Sequence, residues 1–387
     1  MKINIFPIVS SLHGKEKINS TTQELLNELS SRLGYEFSLS EVDNLYDGDL
    51  SLILIQSGGS EQLFLENFSK LKPPYYLLTY GHNNSLAASL EILSYLKDNN
   101  LAGEVLHGTT EYLANRIKQL LTVKKAYRYG VIGKPSDWLI ASRVDYMDAV
   151  KHHGVELVDI DINEVISLYN EFLGEEYDND YNFDKKALND SLRLTKALEI
   201  IKDKYQLNGL TIRCFDLLDS IKTTACLALA LFNKDKIVST CEGDIPTMLS
   251  MHVLKEVCNQ AGFQANPSRI DIMGKNMVLA HCTLPLDMVK SYSLDTHFES
   301  GIGVAVRGKL FEGKITIFKL SKNLKDYFVT TGRIVRNLDE DNLCRTQIYI
   351  DVDDNIEYFL TRPYGNHHVV VYGDYKEELI SYMKSIL

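Results

Sequence analysis

The feature that most constrains this chain is the alternation, along its first two thirds, of short apolar runs with segments of helical periodicity. "KINIFPIV" (2–9), "DLSLILIQS" (49–57) and "PPYYLLTYG" (73–81) have strand length, whereas "TTQELLNELSSRLG" (21–34), "SLAASLEILSYLKDN" (85–99) and "TTEYLANRIKQLL" (109–121) carry apolar residues at i, i+3 and i+4. Neighbouring parallel strands need a crossover long enough for a helix, so the pattern predicts a doubly wound parallel sheet with helices on both faces. A second run of the same kind opens with "AYRYGVIGKPSDWLIAS" (126–142) and "VELVDIDINEVI" (155–166). After a polar, acidic connection (174–191), a helix is expected over 185–205, a strand over 208–216, a helix over 223–233, a strand over 236–242 and a helix over 246–260.

From about residue 266 the texture changes. "RIDIMGKNMVLAHCTLP" (269–285), "GIGVAVRGKLFEGKITIFKLSK" (301–322), "YFVTTGRIVRN" (327–337) and "CRTQIYIDVD" (344–353) are β-rich, with "FEGKIT" as a turn between two alternating runs. An antiparallel sheet or small barrel follows. With 387 residues the chain exceeds one typical core. The expected division is an α/β domain over 1–123, a second α/β domain over 124–265 bearing the acidic residues, and a β-rich domain over 266–387 whose last strand and helix pack back on the others.

A formal net charge of −11 speaks against nucleic acid and anionic membrane as partners, because an acidic surface offers neither of them long-range attraction. "MKINIFPIVSS" is too short an apolar run for a secretory signal, and six cysteines without CxxC or zinc-like spacing fit a reducing compartment, so a cytoplasmic protein is expected.

Open α/β sheets bind ligands at the carboxyl ends of their strands, and four stretches put polar residues there. They are "RCFDLLDS" with Asp216, "CEGD" with Glu242 and Asp244, "LAHCT" with His281, and "GNHHVVVYGD" with His367 and His368. If "CEGD" stayed extended, Glu242 and Asp244 would share one face. Singly, each stretch also reads as a helix cap, a turn or a core histidine. Together, carboxylates and imidazole make a mixed oxygen and nitrogen set that suits a divalent ion with open positions for a substrate. Trp138 in "PSDWL" reads either as helix packing or as a platform for a ligand ring, and Ser136, Arg143, Arg307 and Arg362 are candidates to touch the far end of a substrate.

The wording and order of "YGVIGKPSDWLIAS", "GLTIRCFDLL", "TTACLALALFNKDKIVSTCEGDIPTML", "MVLAHCTLP", "THFESGIGVAVRGKLFEGKITIFKL" and "GNHHVVVYGD" resemble the L-fucose and L-arabinose isomerase family, most closely its shorter fucose-isomerase-like proteins. The resemblance spans about residues 125 to 375. It implies a metal-dependent aldose–ketose isomerase working through a cis-enediol on an open-chain sugar, assembled as a trimer or hexamer. It also implies a divalent ion, most often manganese, held by Asp216, Glu242 and His368, with Asp216 and Glu242 as acid/base groups. Asp244, His281, His367, Trp138 and Arg307 would then touch substrate or support the ligands. The chain has "CFD" where long members carry glutamate, which keeps open a sugar-binding or regulatory protein of the same fold; an epimerase or lyase using the same metal-enediolate chemistry is a separate alternative. The "TYGHNNS" loop (79–85) with His82 reads either as a glycine turn with an Asn helix cap or as the N-terminal segment that closes a neighbour's site.

Overall fold

The computed structural model describes residues 1–10, 15–99, 101–122 and 127–386. In chain order the elements are β1 (Lys2–Ile8), α1 (Lys15–Leu33), β2 (Glu36–Leu39), β3 (Leu50–Ile55), α2 (Glu61–Asn67), β4 (Tyr75–Leu78), α3 (Ser85–Asp98), β5 (Gly103–Leu106) and α4 (Thr110–Thr122). Next come β6 (Tyr127–Ile132), α5 (Tyr146–His153), β7 (Val155–Ile160), α6 (Ile162–Glu171), α7 (Lys185–Lys204), β8 (Gly209–Ile212), α8 (Phe215–Ser220), α9 (Cys226–Lys234), β9 (Val238–Cys241) and α10 (Ile245–Cys258). The remainder is β10 (Phe263–Asp271), β11 (Asn276–His281), β12 (Val289–Asp295), β13 (Ala305–Leu310), β14 (Gly313–Leu320), β15 (Tyr327–Asn337), β16 (Thr346–Val352), α11 (Tyr358–Thr361), β17 (His368–Tyr372) and α12 (Lys376–Ile386).

The chain forms two compact units, Met1–Lys125 with Asp145–Gly154, and Ala126–Val144 with Val155–Leu387. The first unit is built on a parallel sheet of order β2-β1-β3-β4-β5. Successive β3 side chains go to opposite faces: Leu52 and Leu54 pack with Leu26 and Leu29 of α1, while Ile53 and Ile55 pack with Phe64 of α2 and Ile92 of α3. Both faces are buried, which is why β3 reads as a continuous apolar run. In the 79–85 loop, Asn84 precedes α3 in a left-handed conformation, and its side chain makes no capping bond.

The second unit joins a parallel sheet of order β7-β6-β8-β9 to a closed antiparallel barrel, β10-β11-β16-β15-β14-β17, beside a two-stranded sheet of β12 and β13. The mixed α/β class with parallel sheets and a β-barrel is therefore as expected. "FEGKIT" does turn between two strands, but β13 pairs with β12 while β14 pairs with β15 and β17. Strand β8 ends at Ile212 rather than running to Asp216, because the chain turns into α8, where Asp216 lies in the first turn. Among the described residues, no helix is long and apolar enough to cross a membrane.

Candidate active site

The functional candidates of the second unit meet where β9 leaves its sheet. Strand β9 ends at Cys241, so Glu242 and Asp244 are not two residues of a strand. Glu242 has φ of +65° and Gly243 +72°, two successive left-handed residues that reverse the chain into α10. A side chain at Gly243 is excluded, since a Cβ there would lie 2.3 Å from the Lys134 carbonyl oxygen. Asp244 caps α10, its Oδ1 accepting from the Thr247 N–H at 3.0 Å. A left-handed glutamate is costly, and positions of this kind persist where surrounding structure over-determines them.

Among the described residues one group of acidic and imidazole side chains offers three ligand atoms within 4.8 Å of one another: Glu242, His281 and His367, all buried. His367 Nε2 lies 3.4 Å from Glu242 Oε1, and His281 Nε2 lies 3.9 Å from the same oxygen. Each imidazole is tethered through its other nitrogen. His367 Nδ1 meets Asp244 Oδ2 at 2.8 Å, and His281 Nδ1 meets Thr283 Oγ1 at 3.1 Å. His367 Nε2 is buried without a hydrogen-bond partner. Glu242 Oε2 accepts a 2.7 Å bond from Trp138 Nε1, and Trp138 packs edge-on against Phe215, which packs edge-on against His297.

Asp244 is the hub behind this group. Besides capping α10 and meeting His367, it faces Lys319 Nζ at 3.3 Å, with both side chains 1% exposed. Lys319 also bonds Thr247 Oγ1. Burial works against the Asp244 charge, but Lys319 and His367 outweigh it and hold the carboxyl far below its usual range. Burial likewise opposes charge on His367, yet its contacts with Asp244 and Glu242 raise it to about 9. Glu242 would be raised by burial, but His367, His281 and the Trp138 N–H bring it down to about 2. His281 is pushed down to about 3 by burial and by the charge of His367.

Not every candidate from the sequence gathers here. Asp216, 41% exposed at its side chain, is paired with Arg213 at 3.0 Å and lies outside the group. The imidazole facing Glu242 is His367 rather than His368. Adjacent strand residues face opposite ways: His368 turns, with Val370, toward the barrel core, bonds Tyr358 Oη at 3.1 Å and packs on Phe328 and Phe359. Arg307 is bound to Asp295 at 2.7 Å and also approaches Asp339. Ser136 contributes its backbone N–H, 2.9 Å from the Glu242 carbonyl oxygen. Sequence reasoning missed Lys319, Thr283, Phe215 and His297. For Lys319 a signal existed, since it has the inward parity of Ile315 and Ile317.

No family model matches the chain. Among curated proteins it is similar to "Sulfoquinovose isomerase" of Priestia aryabhattai, 26% identical over 185 residues that cover 45% of this chain and 42% of the relative. Proteins of the same name from Clostridium sp. (strain MSTE9) and Alkalicoccus urumqiensis are 24% identical over 201 residues and 22% identical over 273 residues. These alignments cover 49% and 63% of this chain, and 45% and 60% of the relatives. The chain thus spans about half the length of the curated relatives it matches.

Proposed function

We propose that the protein is an aldose–ketose isomerase acting on an open-chain sugar, with sulfoquinovose, the sugar in the relatives' name, as the first substrate to test. The observation that carries the reading is the convergence of Glu242, His281 and His367 in a buried group, in a chain whose curated relatives are named as sugar isomerases. The same donors fit a divalent cation such as manganese. Two imidazoles have Nδ1 tied to protein oxygens and Nε2 turned to one carboxylate, the arrangement that fixes tautomer and ring orientation for ligation. His367 Nε2, buried and without a hydrogen-bond partner, would then have one. Glu242, His281 and His367 would hold the ion, which when bound would stabilise the negative charge that develops on the sugar oxygens.

The reaction moves a proton from C2 to C1 through a cis-enediol and redistributes the hydroxyl proton between the two oxygens. Glu242 is the group to take the carbon-bound proton and return it to the neighbouring carbon. Asp244 and Lys319 keep His367 oriented without touching the sugar. His297, whose pKa burial lowers, packs edge-on against Phe215. Assembly as a trimer or hexamer in the cytoplasm belongs to the same proposal.

A second reading rests on the proton that Asp244 and Glu242 hold on His367, since an imidazolium does not ligate a cation. In that reading Glu242 and His367 exchange the proton as a metal-free pair. Incubation of wild type with neutral, phosphorylated and sulfonated aldoses, with and without chelator and added manganese, tests both. Ketose formed only with manganese supports the first reading, ketose indifferent to chelator supports the second, and no ketose from any aldose refutes both.

A further inference from the structure

Trp138 is the only tryptophan in the chain, and it joins two properties that seldom occur together. The residue is 52% exposed, yet its one polar atom donates at 2.7 Å to the carboxylate of Glu242, which is 8% exposed. A tryptophan packed for structure buries its rings, and one that serves only as an open platform leaves its N–H to water.

The loop that presents it is fastened at three points. The Ser136 N–H donates to the Glu242 carbonyl oxygen at 2.9 Å, and Lys134 and Pro135 pack against Gly243 so closely that no Cβ fits. Arg213 donates to the Pro135 carbonyl oxygen at 3.1 Å and to the Asp137 carboxylate at 2.7 Å. Backbone and side chain of one loop therefore grip backbone and side chain of the same glutamate. The edge-on contact with Phe215, ring centres 5.0 Å apart, fixes the indole plane.

We propose that Trp138 is a positioning residue that divides the labour of the Glu242 carboxylate, holding Oε2 so that Oε1 alone is presented to His281, His367 and the reacting carbon. A carboxylate's last torsion is broad and two-fold, so without a donor on one oxygen the two exchange and the reacting one is not defined. The indole N–H is suited to the task because it only donates. It orients the carboxylate and favours its charge without competing for the proton being moved. A histidine or lysine at this place would exchange that proton. The inference rests on the reading of Glu242 as the reacting carboxylate.

The single tryptophan makes the test clean. Replacing tryptophan throughout the chain with β-(3-benzothienyl)alanine changes one position and swaps N–H for sulfur in a ring of nearly the same shape; Trp138→Phe is the genetic counterpart. One hydrogen bond to a charged group corresponds to roughly 10–100-fold in rate. The expected result is a fall of that size in kcat for both proteins, with KM within about 3-fold of wild type and both proteins still folded at the assay temperature. A kcat within about 3-fold of wild type, or a loss confined to KM, overturns the proposal, the latter making Trp138 a contact of the sugar alone. If wild type converts no aldose, the isomerase reading fails separately, and the indole emission decides. A shift of that emission in Glu242→Gln keeps the carboxylate–indole pairing, and an unchanged emission overturns it.

Discussion

The Lys319→Met substitution tests whether Asp244 is the electrostatic hub behind the site. Lys319 and Asp244 are each 1% exposed at the side chain, and Nζ lies 3.3 and 3.4 Å from the two carboxylate oxygens. Methionine keeps the apolar stem, so the change opens little cavity and removes mainly the charge. Breaking one partner of a buried pair costs about 3–5 kcal/mol, because the remaining charge is left unpaired. Asp244 keeps the Thr247 N–H and His367, which puts the expected loss near the lower end, about 3 kcal/mol. In a unit of this size that is a fall in Tm of roughly 6–12 °C. Thermal unfolding followed by circular dichroism, with urea titration at pH 7 alongside, measures it. In the double variant with Asp244→Asn the loss should be less than the sum of the singles by about 2 kcal/mol or more. A loss under about 1 kcal/mol for Lys319→Met, or strictly additive singles, refutes the hub.

Other outcomes follow from the same geometry. His367→Ala should abolish manganese binding measured by calorimetry, whereas His368→Ala should leave it intact while lowering Tm, through loss of packing against Phe328, Tyr358 and Phe359. Gly243→Ala should cost about 2 kcal/mol or more in urea unfolding and lower activity with it, since a Cβ would press on the Lys134 carbonyl at a positive φ. In chelator-treated protein, stability should peak near pH 6.5. Raised to about 9, His367 contributes fully below its unfolded value of 6.5 and loses that contribution between 6.5 and about 9. His281 and His368, each pushed down to about 3, take up protons more readily when unfolded and so subtract stability as pH falls from 6.5 toward 3. Urea midpoints across pH 4 to 9.5 test the profile, and a peak near pH 9 would contradict it.

What was legible in the sequence was whatever rested on periodicity. The apolar run of β3 and the helical spacing of α3 are set by two buried sheet faces and one buried stripe, and both read directly. The barrel was legible as a change of texture, but its pairing was not, because β13 and β14 flank a short turn and still pair with different strands. At the site, the residue types of "CEGD" and "NHH" pointed to the right neighbourhood, while their directions depended on local backbone. The period-two reading of Glu242 and Asp244 does not apply across two left-handed residues, and the two acids converge on His367 through a turn instead. The choice between His367 and His368 turned on strand parity, which the apolar neighbours Val369 and Val370 do not reveal, both being fully buried. Asp216 looked like a strand end because "NGLTIRCFD" reads as one strand, but the strand stops at Ile212 and Arg213 takes up the carboxylate.

The most direct test of the central claim is proton NMR of the sugar in D2O, comparing wild type with Glu242→Gln on sulfoquinovose in the presence of manganese. The account predicts that wild type forms ketose and washes deuterium into C2 of the recovered aldose, and that Glu242→Gln does neither. Ketose formation that survives in Glu242→Gln, or C2 exchange that is untouched by it, would contradict the assignment of Glu242 as the group that moves the proton.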